Sequence, residues 1–221
     1  LVDVSTSMRP ERRREQIRRV LRPLMREVRR RDRVKLLSFS AGEVTVHTDW
    51  VRWPMTVLDT AASLRGSGRT ALLDAMAGTA DLLPRLATER QAIVLVTDAI
   101  DNASRLPSSE VVAAARSVSA PVYVLALGGT ARQIQLERGR AEGIERLRTI
   151  ARQTGGRLFV VPGEEGEGPE RAAARIRQDL RHQYLIGFEP APGGAEGEIR
   201  RLEVDVDVPG AKVLARKGYR R

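Results

Sequence analysis

Apolar positions along the chain follow two periods, and their order lays out alternating helices and strands. Between residues 10 and 31, Ile17, Val20, Leu21, Leu24, Met25 and Val28 trace one stripe at helical spacing. Pro10 suits the first turn of that helix, Ser7 lies near enough to cap it, and Pro23 predicts a kink or break. Two short β-like runs follow, 34–39 and 43–47, joined by Ala41-Gly42, which reads as a hairpin. Residues 58–64 predict a short helix. Residues 66–70 predict a loop, and 71–83 a helix with Leu72, Leu73, Met76, Ala80 and Leu83 inward. The continuous apolar run 92–96, ending at Thr97-Asp98, predicts a central parallel strand covered on both faces. Helices over 109–118, 144–153 and 170–181 are expected to alternate with strands over 122–127 and 158–161. Thr154-Gly155-Gly156 should stop the second of these helices.

This alternation predicts an α/β fold: a three-layer, doubly wound, mostly parallel sheet with helices on both faces. The grammar changes after His182. Residues 183–188, 199–208 and 212–216 are strand-like and joined by Gly/Pro turns. Leu202, Val204, Val206 and Val208 alternate with Glu203, Asp205 and Asp207. The predicted organisation is therefore a domain over 1–182 and a C-terminal antiparallel β extension over 183–221, packed on it. Only Leu1 and Val2 precede Asp3, so the first strand is expected to be truncated. An export signal or a further domain is conceivable upstream.

Composition narrows the function classes. The 221 residues suffice for one sizeable core. There is no cysteine, which excludes disulfides and thiol chemistry. No apolar run reaches the roughly 18 residues of a membrane span. Net charge is +10, and Lys35, Lys212 and Lys217 are the only lysines. A positive surface favours nucleic acid, anionic lipid or an acidic protein. The arginines are spread along the whole chain, which favours a solvated surface over a dedicated anion-binding face.

Ligands of open α/β sheets sit at the carboxyl ends of the strands, and three polar loops are expected there. They are Asp3-Val4-Ser5-Thr6-Ser7, the Gly-rich loop ending at Thr70, and Thr97-Asp98-Ala99-Ile100-Asp101. Each alone reads equally well as a cap or turn. One carboxylate with hydroxyls at alternate positions suits a hard divalent cation.

In that order the three loops resemble the metal-ion-dependent adhesion site of von Willebrand factor type A domains. Asp3, Ser5 and Ser7 match its first element, Thr70 its second and Asp98 its third. The resemblance covers roughly residues 1–182. The tail Gln183-Tyr184-Leu185-Ile186-Gly187-Phe188 and the ending Ala215-Arg216-Lys217-Gly218-Tyr219 resemble a bacterial, often secreted, subgroup first noted in acidobacteria. One departure is Ala99, where the family has glycine. The resemblance implies Mg²⁺ (Mn²⁺ or Ca²⁺ as substitutes) held by Ser5, Ser7 and Thr70 hydroxyls, with Asp3 and Asp98 acting directly or through water. It also implies a partner protein whose exposed Asp or Glu completes the coordination. Asp101 is either a supporting residue of the site or a loop cap.

Other readings stay open. A nucleic-acid-associated domain would use the basic surface, but stacking aromatics are few. A scaffold could hold a purely structural cation. An enzyme of the aspartyl-phosphate type would need a carboxylate two residues after Asp3, where Ser5 stands, and no acid–base pair or nucleophilic triad is visible, so no enzyme is expected. His47 and His182 read as surface or structural residues. Trp50 and Trp53 read as packing on the sheet edge, and the acidic 162–170 segment as a solvated loop.

Overall fold

A computed structural model describes residues 1–8, 11–83, 90–107, 110, 120–128, 138–161, 168–190, 193, 195 and 197–220. All but Glu110 of the expected helix over 109–118, Pro10 and most of the acidic 162–170 segment lie outside the described residues.

The main sheet has six strands in the order β3-β2-β1-β4-β5-β6. They are β1 (Val2–Asp3), β2 (Leu37–Ser40), β3 (Glu43–Val46), β4 (Ile93–Thr97), β5 (Val122–Leu127) and β6 (Leu158–Val161). All neighbours are parallel except β2 and β3, which form the expected hairpin, with Leu37 opposite Val46 and Ser40 opposite Glu43. Ala41 and Gly42 make its turn, both at positive φ. The two residues of β1 pair with β2 on one side and β4 on the other, so Asp3 sits at the middle of the sheet's carboxyl edge.

Strand alternation splits the core into two layers. Ile93 and Leu95 of β4, with Val122, Val124 and Ala126 of β5, face one cluster. That cluster is closed by α3 (Leu72–Asp81) and α4 (Arg138–Thr154), through Leu72, Leu73, Met76, Ile144, Leu147 and Ile150. Val96, Tyr123, Leu125 and Leu127 face the other. It is covered by α1 (Glu11–Arg26), α2 (Pro54–Ser63) and α5 (Pro169–Arg181). Each fully buried Leu, Ile or Val contributes about 1.5–3 kcal/mol of apolar transfer, so helices on both faces are what stabilise these apolar strands. The predicted three-layer, mostly parallel α/β fold is what the chain adopts.

Several boundaries differ from expectation. The apolar stripe of α1 is buried as predicted, but the helix ends at Arg26 rather than 31. Pro23 lies inside it without ending it; the helix stops one turn later. Ser7 does not cap α1; its hydroxyl pairs with that of Ser5. Helix α4 begins at Arg138, six residues before the expected start, and stops where the glycines predicted. Gly155 has φ +81°, and Gly156 donates to Ala151 O at 2.8 Å. The Thr154 hydroxyl then accepts Val122 N–H at 3.0 Å, which fastens the end of α4 to the start of β5.

The C-terminal region departs most. Residues 183–188 and 212–216 form no strand, and 202–208 continue β7 without a ladder. A two-stranded antiparallel sheet joins β7 (Ile199–Arg201) to β8 (Gly218–Arg220). Tyr184, Leu185 and Ile186 are exposed. Their apolar pattern meets no neighbouring strand among the described residues, and periodicity without a partner does not make a sheet. The segment touches the main sheet's helices through Lys217 N–H, which donates to Gln153 O at 2.9 Å. Phe188 packs edge-on against Tyr219, with ring centroids 5.2 Å apart.

Candidate metal centre

Asp3 ends β1 and is fully buried. Its carboxylate accepts two hydrogen bonds, from Ser5 N–H at 2.9 Å and from the Thr97 hydroxyl at 2.7 Å. Thr6–Met8 form a single 3-10 turn, closed by Met8 N–H donating to Ser5 O. Ser5 is buried and Ser7 exposed, with their hydroxyls 3.0 Å apart. The alternate spacing thus carries an oxygen line from the interior to the surface.

The Gly-rich loop is laced to this turn. Gly68, at φ +77°, accepts both the backbone N–H and the hydroxyl of Thr6 at 2.9 Å. Ser67 N–H donates to Val4 O at 2.7 Å. Thr70 is buried, and its carbonyl accepts Asn102 and Ala103 N–H from the third loop, at 3.0 and 2.9 Å. The Asn102 side chain returns the bond by accepting Thr70 N–H at 2.9 Å. Every pair among the three loops is therefore tied by direct hydrogen bonds.

Asp98 is fully buried beyond the end of β4. One of its oxygens accepts Ile100 N–H at 3.2 Å; the other is buried and has no hydrogen-bond partner among the described residues. Asp101 caps its own loop through Ser104 and Ala103 N–H, at 3.1 and 3.4 Å, and its second oxygen is likewise buried and unmatched among the described residues. The carboxyl of Asp3 is pushed up to about 6, first by burial and then by the charge of Asp98; its two hydrogen bonds oppose the rise. Two mutually repelling buried carboxylates, with an acceptor atom left over, form a site whose electrostatics a cation would reverse. Among the described residues no three His, Asp or Glu side chains gather around one point. A cation here would therefore draw on Ser5, Ser7 and Thr70 hydroxyls beside the two carboxylates, a hard-oxygen set that fits Mg²⁺.

Four contributors are not singled out by spacing in the sequence. Thr97 holds Asp3 and also accepts Ala99 N–H at 3.1 Å. Asn102 clamps Thr70. Asp74 of α3 accepts Arg105 and Leu106 N–H at 3.1–3.2 Å, fixing the far end of the third loop. Gly143 of α4 lies so close to Ala99 that a Cβ there would come within 1.9 Å of the Ala99 carbonyl oxygen. Ala99 has φ +65°, which gives a physical reason for a glycine preference at that position. The signal for Thr97 and Asn102 was adjacency to the motif, and for Gly143 there was none.

The remaining polar candidates fall elsewhere. His47 hydrogen-bonds Ser38 at 2.7 Å, its pKa lowered by burial, and His182 bonds back to Gln178 O at the end of α5. Trp53, expected to pack on the sheet edge, is 76% exposed instead; Trp50 is 37% exposed.

Residues 1–100 match the family model of the von Willebrand factor type A domain. Over that segment the chain is similar to a type A domain. The matched segment carries Asp3, Ser5, Ser7, Thr70 and Asp98 and ends within the third loop. Solved structures of the same fold include an aerotolerance-related membrane protein from Bacteroides fragilis NCTC 9343, with multiple mutations to serines. It is 18% identical with a TM-score of 0.62, over 82% of this chain and 96% of that one. The conserved hypothetical protein BatB from Bacteroides thetaiotaomicron is 16% identical with a TM-score of 0.60, over 81% and 94%. The pilus adhesin SpaC from Lactobacillus rhamnosus GG, in an open conformation, is 13% identical with a TM-score of 0.57, over 81% of this chain and 29% of that one. No curated protein sequence is significantly similar to the chain. At these identities the likeness establishes the fold.

Proposed function

We propose that this domain is a metal-ion-dependent protein-binding module, with Mg²⁺ held by Asp3, Ser5, Ser7, Thr70 and Asp98. The observation that carries the reading is the buried, partnerless oxygen of Asp98 beside a buried Asp3. A bound divalent cation would offset the repulsion of the two carboxylates and present an electrophilic face to a partner's Asp or Glu. The chain's own residues do the rest. Thr97 and Ser5 N–H hold Asp3 in one orientation, Ser7 brings a hydroxyl to the surface, and the Thr70–Asn102 clamp keeps the second and third loops in register. Ser5 stands where a phosphotransferase would need a second carboxylate, so binding rather than turnover is the assigned role. The pilus adhesin among the proteins of the same fold is a precedent for adhesion. An extracytoplasmic location, and membership of the bacterial subgroup first noted in acidobacteria, belong to the same proposal.

Calorimetric titration with Mg²⁺ and Mn²⁺ tests it. The native chain is expected to bind either ion at one site, and Asp98→Asn to lose at least tenfold in affinity while remaining folded. With Mn²⁺ bound, a short Glu-containing peptide should lower the water relaxation enhancement by displacing metal-bound water. Undiminished ion binding by Asp98→Asn would refute the site. Ion binding and thermal stabilisation without any peptide effect would leave a structural cation instead of a gripping one.

A further inference from the structure

The opposite end of the sheet carries a second binding surface, built from arginine and tryptophan. Residues 27–33 precede β2 and residues 47–53 follow the antiparallel β3, so both segments lie at the amino edge of the parallel strands, away from Asp3 and Asp98. An antiparallel bridge between Val34 and Val51 joins them, with N–H···O distances of 2.9 and 2.8 Å. Beside that bridge Arg30, Arg31 and Arg52 line an open pocket of about 390 Å³. None of the three side chains has an ion-pair or hydrogen-bond partner among the described residues.

The nearby acids are already engaged. Asp32 accepts Arg29 N–H at 2.8 Å, and Asp49 lies 3.7 Å from Lys35 Nζ. Glu27 lies 3.1 Å from Arg177 Nε, so Arg29, Arg30, Arg31, Arg33, Lys35 and Arg52 outweigh three acids on one small pole, each of the acids already engaged. Like charges gathered without internal counter-charge repel one another, and an external anion is what relieves them.

The same pole presents apolar surface. Trp53 and Met55 are 76% and 57% exposed at the start of α2, and Trp50 is 37% exposed. Guanidinium groups suit phosphate oxygens, and tryptophan is favoured at the boundary between headgroups and acyl chains. A nucleic acid would use the arginines and the indoles but offers nothing to Met55, and the patch is a compact pole rather than a strand-length groove. We propose that this pole docks the domain on an anionic phospholipid surface, with Arg30, Arg31 and Arg52 on the phosphates and Trp53 and Met55 inserted between headgroups. Such docking would leave the candidate metal centre facing away from the lipid.

Trp50 and Trp53 are the chain's only tryptophans, so intrinsic fluorescence reports on this pole alone. The test adds vesicles of phosphatidylcholine, with and without roughly a third phosphatidylglycerol, to the full chain at about 0.1 M salt with EDTA present. Expected are a blue shift and co-sedimentation with the anionic vesicles only. Arg30→Gln, Arg31→Gln and Arg52→Gln together should weaken binding on the order of a hundredfold, about fivefold for each arginine. Removing the same charge elsewhere, as Arg148→Gln, Arg152→Gln and Arg171→Gln, should change it less than the pole variant by an order of magnitude. Trp53→Ser should abolish most of the blue shift. Equal loss in both triple variants would reduce the effect to net charge and overturn the site. Binding without a blue shift would overturn insertion. A single-stranded oligonucleotide that binds more tightly than the vesicles, through the same three arginines, would overturn the lipid assignment.

Discussion

Replacing Asp3 by Asn should separate stability from metal binding. Burial and the neighbouring Asp98 raise the Asp3 carboxyl from 3.8 to about 6. A carboxylate whose folded-state pKa is raised favours the folded state while protonated. That contribution is full below about pH 4 and is lost as pH rises through 6. At 1.36 kcal/mol per pH unit the loss is about 3 kcal/mol by neutral pH, of which about 2 kcal/mol falls between pH 4.5 and 7.5. Asn keeps the shape and an acceptor for one of the two hydrogen bonds but has no charge to desolvate. The assay is urea denaturation of native and Asp3→Asn protein at both pH values, with EDTA. Taking the difference between the two pH values cancels whatever the lost hydrogen bond costs. Asp3→Asn should gain about 2 kcal/mol on the native protein from pH 4.5 to 7.5. With saturating Mg²⁺ at pH 7.5 the order should reverse, because only the native site gains from the ion. If the two proteins show the same pH dependence without metal, Asp3 is not the strained buried acid described above.

Three further outcomes follow from the loops. Gly143→Ala drives a methyl into the Ala99 carbonyl and should cost about 1–3 kcal/mol in thermal or urea unfolding, together with Mg²⁺ affinity, because Ala99 follows Asp98 directly. Ala99→Gly relieves a left-handed alanine but loses a buried methyl and frees the unfolded chain, so its stability should stay within about 1 kcal/mol of native in the same assay. Thr97→Val removes the donor to Asp3 and the acceptor for Ala99 N–H. It should destabilise by about 1–3 kcal/mol, and the pH-dependent loss assigned to Asp3 should move upward, as measured by unfolding across pH.

Much of the fold was legible because burial writes a period into the chain. The stripe of α1 and the apolar runs of β4 and β5 can be buried only as a helix face and as strands covered on both sides, and each was placed within a few residues. The order of the polar loops was legible for the same reason: strands that alternate with helices must deliver their carboxyl ends to one edge. The tail shows where this reasoning stops. Residues 183–188 and 202–208 have strand patterns as clear as any in the core, yet a pattern specifies only a face, and pairing needs a neighbour that sequence spacing does not name.

At the candidate centre the sequence alone determined the donor chemistry: two carboxylates, three hydroxyls and no thiol or imidazole. Tertiary structure decided their condition. It buried Asp3 and Asp98 close enough to repel, left one Asp98 oxygen without a partner, and set Gly143 against Ala99 across more than forty residues. It also brought Arg30 and Arg31 to Arg52 through the Val34–Val51 bridge, at the pole away from the metal loops. Arg29-Arg30-Arg31 is already a run in the chain; the fold adds Arg52 to it, and proximity in space sets the electrostatic energy of the resulting excess.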